Sequence, residues 1–117
     1  SNHEVTKINV EQERVDFEQE IYLKVMQFNM QGQQVKIAAK ADTVAQMRYD
    51  VIKQRFLIGK IDVTDLNIAL GQKDQSKRQY LNALKNYWQY YYTLRQLTLY
   101  DFENNAPLVI DHEKLLQ

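Results

Sequence analysis

Apolar and small residues recur at Phe17, Ile21, Val25, Phe28, Gly32, Val35 and Ala39, in alternating steps of four and three. That spacing holds one stripe of an α-helix apolar and is the seam of a coiled coil. Farther on, Ala38, Ala41, Ala45, Met47, Val51 and Ile52 spread the apolar positions over more than one face. From about Glu11 to Leu57 there is no Pro, and Gly32 sits among good helix formers. The pattern therefore predicts one helix of roughly 45 residues, about 70 Å long at 1.5 Å per residue. An ordinary globular helix is far shorter.

The segment from Arg55 to Asp62 breaks this pattern. Gly59 suits the left-handed residue that ends a helix, since it has no Cβ to clash there. Asp62 can cap the next helix by accepting a first-turn N–H, and Asp65 adds negative charge near the positive end of the helix dipole. A second helix is expected from about Val63 to Leu99, with Leu66, Leu70, Leu81, Leu84, Trp88, Tyr91 and Leu94 on one side. Its stretch from Gly71 to Gln79 is strongly polar, so a seam there is thin or partly wet. Small residues also repeat every seven at Ala69, Ser76 and Ala83 before giving way to Tyr90 and Leu97. Such a stripe permits close helix approach and points to a second neighbour.

The expected fold class is all-α, a long antiparallel helical hairpin of coiled-coil type spanning residues 11–100, with its turn near 58–62. Residues 1–10 are expected to be a flexible segment in which Ser1-Asn2 has the look of a tag remnant. The stretch from Asp101 to Leu108 holds turn formers and Pro107, and Val109-Ile110 suits extended backbone, so 101–117 reads as an irregular tail.

Composition narrows the function classes. The 117 residues carry 15 Lys+Arg and 15 Asp+Glu, so no broad field favours nucleic acid or an acidic membrane surface. Cysteine is absent, and His3 and His112 lie near opposite ends outside any ligand spacing, so no metal or cofactor is expected. There is no phosphate-cradling glycine loop and no nucleophile elbow, and acidic pairs such as Asp16/Glu20 and Asp62/Asp65 fit solvated faces and caps. An enzyme is not expected. No apolar run of about 18 residues exists to span a bilayer as a helix. The aromatic run Tyr87-Trp88-Gln89-Tyr90-Tyr91-Tyr92 is flanked only by Lys85 and Arg95, which suits helix packing better than base stacking. Lys73, Lys77 and Arg78 read as a solvated face, although a polar tunnel wall would look the same.

The run from Tyr49 to Leu66, YDVIKQRFLIGKIDVTDL, resembles the TolC family of outer-membrane efflux proteins. The likeness lies in an aromatic three residues before a glycine, a short polar turn, and a helix opening on aliphatic and Asp residues. Asn67 to Leu97 is similar to the same family in its small residues, its Tyr80-Leu81-x-Ala83-Leu84 element, its aromatic stretch and its Leu-rich end. The resemblance covers about Asp42 to Leu108. It implies a homotrimer whose outer-membrane β-barrel continues into a periplasmic α-barrel, each protomer supplying two related halves. This chain resembles the hairpin of the second half. The resemblance further implies that the Gly59 turn is the periplasmic tip, that Phe56, Gly59, Lys60, Ile61 and Asp62 meet a periplasmic adaptor, and that Asp65 belongs to a ring at the tunnel entrance. Where a gated member of the family has an Arg and a second Asp, this chain has Ile61 and Ile68. The expected role is a passive conduit for substrates delivered by an inner-membrane pump through the adaptor. The other reading of the same helices is a soluble coiled-coil interaction module unrelated to efflux. Either way, so thin a hairpin leaves apolar stripes exposed, and the isolated chain is expected to self-associate.

Overall fold

The computed structural model describes residues 1–101, with side chains through Leu99. Two helices account for nearly all of them: α1, Asn2–Leu57, of 56 residues, and α2, Val63–Asp101, of 39. Phe102 to Gln117 lie outside the described residues, and with them the expected irregular tail, Pro107 and His112.

Helix α1 starts well ahead of Glu11, so residues 2–10, expected to be flexible, are helical. Nothing in that segment breaks a helix: it has no Gly or Pro. The first turn closes with the Val5 N–H donating to the Ser1 carbonyl at 3.2 Å, and the Thr6 hydroxyl donates back to the Asn2 carbonyl at 2.8 Å. Every residue of the segment is exposed, so its helicity rests on local propensity and continuity with the rest of α1.

Helix α1 ends in a Schellman cap. The Lys60 N–H donates to the Arg55 carbonyl and the Gly59 N–H to the Phe56 carbonyl, both at 2.9 Å, while Gly59 takes φ of 78°. A Cβ on Gly59 would meet nothing within 4 Å, so the need for glycine is one of backbone conformation alone. Gly59→Ala is expected to lower stability by about 1–2 kcal/mol, the cost of placing an L-residue in the left-handed region. Gly71→Ala, in the interior of α2 with open space around its Cα, is expected to raise it by about 1 kcal/mol. Urea denaturation followed by circular dichroism checks both signs.

The contacts divide the chain into two compact units, Ser1–Asn29 with the chain from Gln89 onward, and Met30–Trp88. In the second unit the helices pair antiparallel across the turn. Tyr87 lies against Gly32, with its ring edge 3.6 Å from where a Cβ would stand. The Gln31 amide donates to the Ala83 carbonyl at 3.1 Å, and Asp42 meets Lys77 at 2.8 Å. Lys73 stands over the Tyr49 ring, 4.6 Å from its centroid. In the first unit Phe28 packs on Tyr91 at 6.0 Å between ring centroids, tilted by 43°.

The covered positions on α1 include an unbroken four-three series through Phe17, Ile21, Lys24, Phe28, Gln31, Val35, Ala38, Asp42, Ala45, Tyr49, Ile52 and Phe56, with Gly32, Ala39 and Gln46 covered beside it. Val25, expected in the seam, is exposed, and the stem of Lys24 covers the seam instead. On α2 the seam follows the small heptad stripe: Leu66, Ala69, Lys73, Ser76, Tyr80, Ala83 and Tyr87 are covered, and Ala69 is only 2% exposed. Leu70, Leu81 and Trp88, expected on the buried side, face outward. The reason is geometric: small residues at every seventh position let the backbones approach, and the larger Leu and Trp then sit off the line of contact. Among the described residues only Ala45 and Ala69 are buried apolar residues, so the helix pair has almost no core of its own.

Candidate functional site

The turn region is built from local rules. Asp62 sits just before α2 and its Oδ1 accepts the Asp65 N–H at 3.0 Å, while its carbonyl accepts from Leu66 at 3.4 Å, which makes it the cap of α2. Asp65 stands in the first turn of α2, exposed, with its charge favourably placed at the positive end of the helix. Arg55 lies in the last turn of α1, where a cation is favoured for the mirror reason. Asp62→Ala is expected to cost about 1 kcal/mol and Asp62→Asn much less, because the amide oxygen still accepts the N–H. Thermal denaturation of the two variants side by side checks the order.

The six turn residues singled out by resemblance are not equivalent in the structure. Gly59, Lys60, Asp62 and Asp65 are exposed, whereas Phe56 and Ile61 are partly covered. Leu57, Ile58 and Val63 are the turn's large exposed apolar residues, at 64%, 67% and 55%. These three were absent from the sequence-based candidates. Their signal was their position: Leu57 and Ile58 immediately precede the left-handed glycine, at the very end of α1.

A second polar feature lies inside the seam of the Met30–Trp88 unit. Asp42 is only 5% exposed; its Oδ2 accepts from the Lys77 ammonium at 2.8 Å, and its Oδ1 has no hydrogen-bond partner. Lys77 is itself about half covered and stands 5.9 Å from the Tyr80 ring centroid. Lys73 is likewise partly covered, over Tyr49. The two lysines read as a solvated face therefore belong to the seam, and only Arg78 of the three is exposed. A single charge in a long helix reads as surface, and the sequence clue to Asp42 is its place in the heptad series of Phe28, Val35 and Tyr49.

The aromatic run divides by face. Tyr87 and Tyr91 turn toward α1, at Gly32 and Phe28, while Trp88 and Tyr92 are half exposed and meet their neighbours edge-on at 5.8 and 5.5 Å. Beside the seam of the Met30–Trp88 unit runs an open groove lined by Gln31, Gln34, Ala41, Gln79 and Asn82 among others. Among the described residues no group of His, Asp or Glu is placed to hold a metal ion, and no helix is long and apolar enough to cross a membrane. Compared with known proteins, the chain matches no family model, no curated protein and no solved structure.

Proposed function

We propose that this chain is the periplasmic helical hairpin of a TolC-like outer-membrane efflux duct, a passive conduit. The observation that carries the reading is the placement of apolar side chains: a two-helix layer with hardly any core leaves Met30, Ile37, Val44, Met47 and Val51 of α1 at least half exposed. Leu81 and Trp88 of α2 are exposed as well. A free-standing domain hides such residues, whereas one segment of a helical wall presents them to the next helices. The likeness of residues 49–66 to the TolC family supplies the identity of that wall.

On this reading the wall is homotrimeric, the turn is the periplasmic tip, and the exposed Leu57, Ile58 and Val63 join Lys60 and Asp62 as the surface offered to an adaptor. The conduit does no chemistry and takes no cofactor; an inner-membrane pump drives transport. Asp65, one turn into α2, contributes one carboxylate per protomer to a ring at the tunnel entrance. Ile61 and Ile68 add no hydrogen bonds, so the entrance is set by charge and bore. The exposed stripe also suits a helical interaction module, and the ring separates the two readings. In the whole protein reconstituted in planar bilayers, Asp65→Ala is expected to weaken block by multivalent cations about tenfold or more, because a ring of carboxylates in a narrow bore focuses the field. Unchanged block removes Asp65 from the entrance.

A further inference from the structure

Helix α1 carries a second register beside its seam. Leu23, Met30, Ile37, Val44 and Val51 recur every seven residues, Met26 and Met47 stand three residues after Leu23 and Val44, and all of these are exposed. Gln33 and Lys40 interrupt the stripe, but long polar side chains can lay their stems along apolar neighbours. Along one flank of this stripe the heptad positions 13, 20, 27, 34, 41, 48 and 55 read Glu, Glu, Gln, Gln, Ala, Arg, Arg. The four charged members are exposed, and Arg48 and Arg55 line a shallow apolar groove with Val44, Met47, Val51 and Ile52. The series is acidic at one end, neutral in the middle and basic at the other. Read backwards, it opposes itself charge for charge.

We infer that two copies of this chain dock α1 against α1, antiparallel and centred on Gln34. Glu13 then faces the partner's Arg55, Glu20 faces the partner's Arg48, and the apolar stripes pack alongside this row of pairs. The second copy is favoured over another occupant by this complementarity, since no other stretch of partner chemistry is needed to match it. A parallel pair sets this flank against the partner's other flank, where Ile8 and Val15 give Glu13 and Glu20 no opposite charge. The inference concerns the chain by itself and goes beyond the duct reading, in which other helices of the wall compete for the same face.

Because the chain has no cysteine, a single introduced thiol reports the geometry. Gln34→Cys is expected to give a covalent dimer in high yield with a short bis-maleimide. Glu20→Cys is expected to give little, because its counterpart lies 28 positions away along the partner helix, about 42 Å at 1.5 Å per residue. Equal yields at both positions overturn the antiparallel arrangement, and no dimer at Gln34→Cys overturns the docking. In sedimentation at low salt, Arg48→Glu with Arg55→Glu is expected to weaken association about tenfold or more, each lost pair being replaced by a repulsion. Adding Glu13→Arg with Glu20→Arg to that variant is expected to restore it. Failure to restore, with helix content unchanged, overturns the charge pairing while leaving the reading as an efflux hairpin intact.

Discussion

Lys77→Met lowers the stability of the chain by about 2–3 kcal/mol, among the largest effects expected of any single substitution outside the turn. The change leaves the Asp42 carboxylate inside the seam without the ammonium that now stands 2.8 Å from Oδ2, and Oδ1 already lacks a partner. Removing one member of a buried pair costs about 3–5 kcal/mol in general. Lys77 is 44% exposed, so solvent reaches the pair from that side and the expected figure is the lower one. Asp42→Leu combined with Lys77→Met is expected to be as stable as the original or more so, because an apolar pair of similar size fills the seam without desolvation. The pair therefore contributes register more than stability: sliding the helices by one position separates the charges. Urea denaturation at one fixed chain concentration checks the order, since association adds to apparent stability. If the single variant is no less stable than the original, the pair does not hold the seam.

The second large effect concerns the outer stripe. The chain is expected to sediment above its 14.0 kDa monomer mass, and Ile37→Glu with Val44→Glu to weaken that association about a hundredfold or more. Both side chains are about 60% exposed and lie outside the covered seam, so little within the hairpin depends on them. Covering such a side chain on association contributes about 1.5–3 kcal/mol, and a glutamate in its place adds a desolvation cost. Helix content is expected to stay unchanged, since neither position belongs to the covered seam. A stable monomer at high concentration before any substitution contradicts the view that α1 needs a further neighbour.

These two effects also mark where the sequence was readable. The turn was legible because its determinants are local: one glycine at a left-handed φ and one aspartate accepting an N–H three residues on. From about Glu11 to Leu57 α1 was legible as a helix, and Phe17, Ile21, Phe28 and Val35 as its seam, because large apolar residues at four-three spacing leave little choice. The helical start at Asn2 was not, because exposed polar residues carry no periodic signal. On α2 the apolar positions Leu66, Leu84, Tyr91 and Leu94 are covered as expected, whereas Leu70, Leu81 and Trp88 are exposed: they are larger than Ala69, Ser76 and Ala83, but helix approach is governed by the smallest residues on the contact line. The Asp42–Lys77 pair was hidden for a related reason, since it is defined by two helices meeting and neither residue signals it alone. At the turn, Asp62 was readable as a cap, whereas the exposure of Leu57 and Ile58 depends on where α2 lies and no local rule states it.

The central claim is that this hairpin is one segment of a larger helical duct, and the sequence of the reading frame that encodes it tests that claim most directly. The account predicts a frame several times longer, with a signal peptide, a first related hairpin upstream of Glu11, and short amphipathic strands able to form an outer-membrane barrel. A complete frame of 117 residues carrying none of these contradicts it.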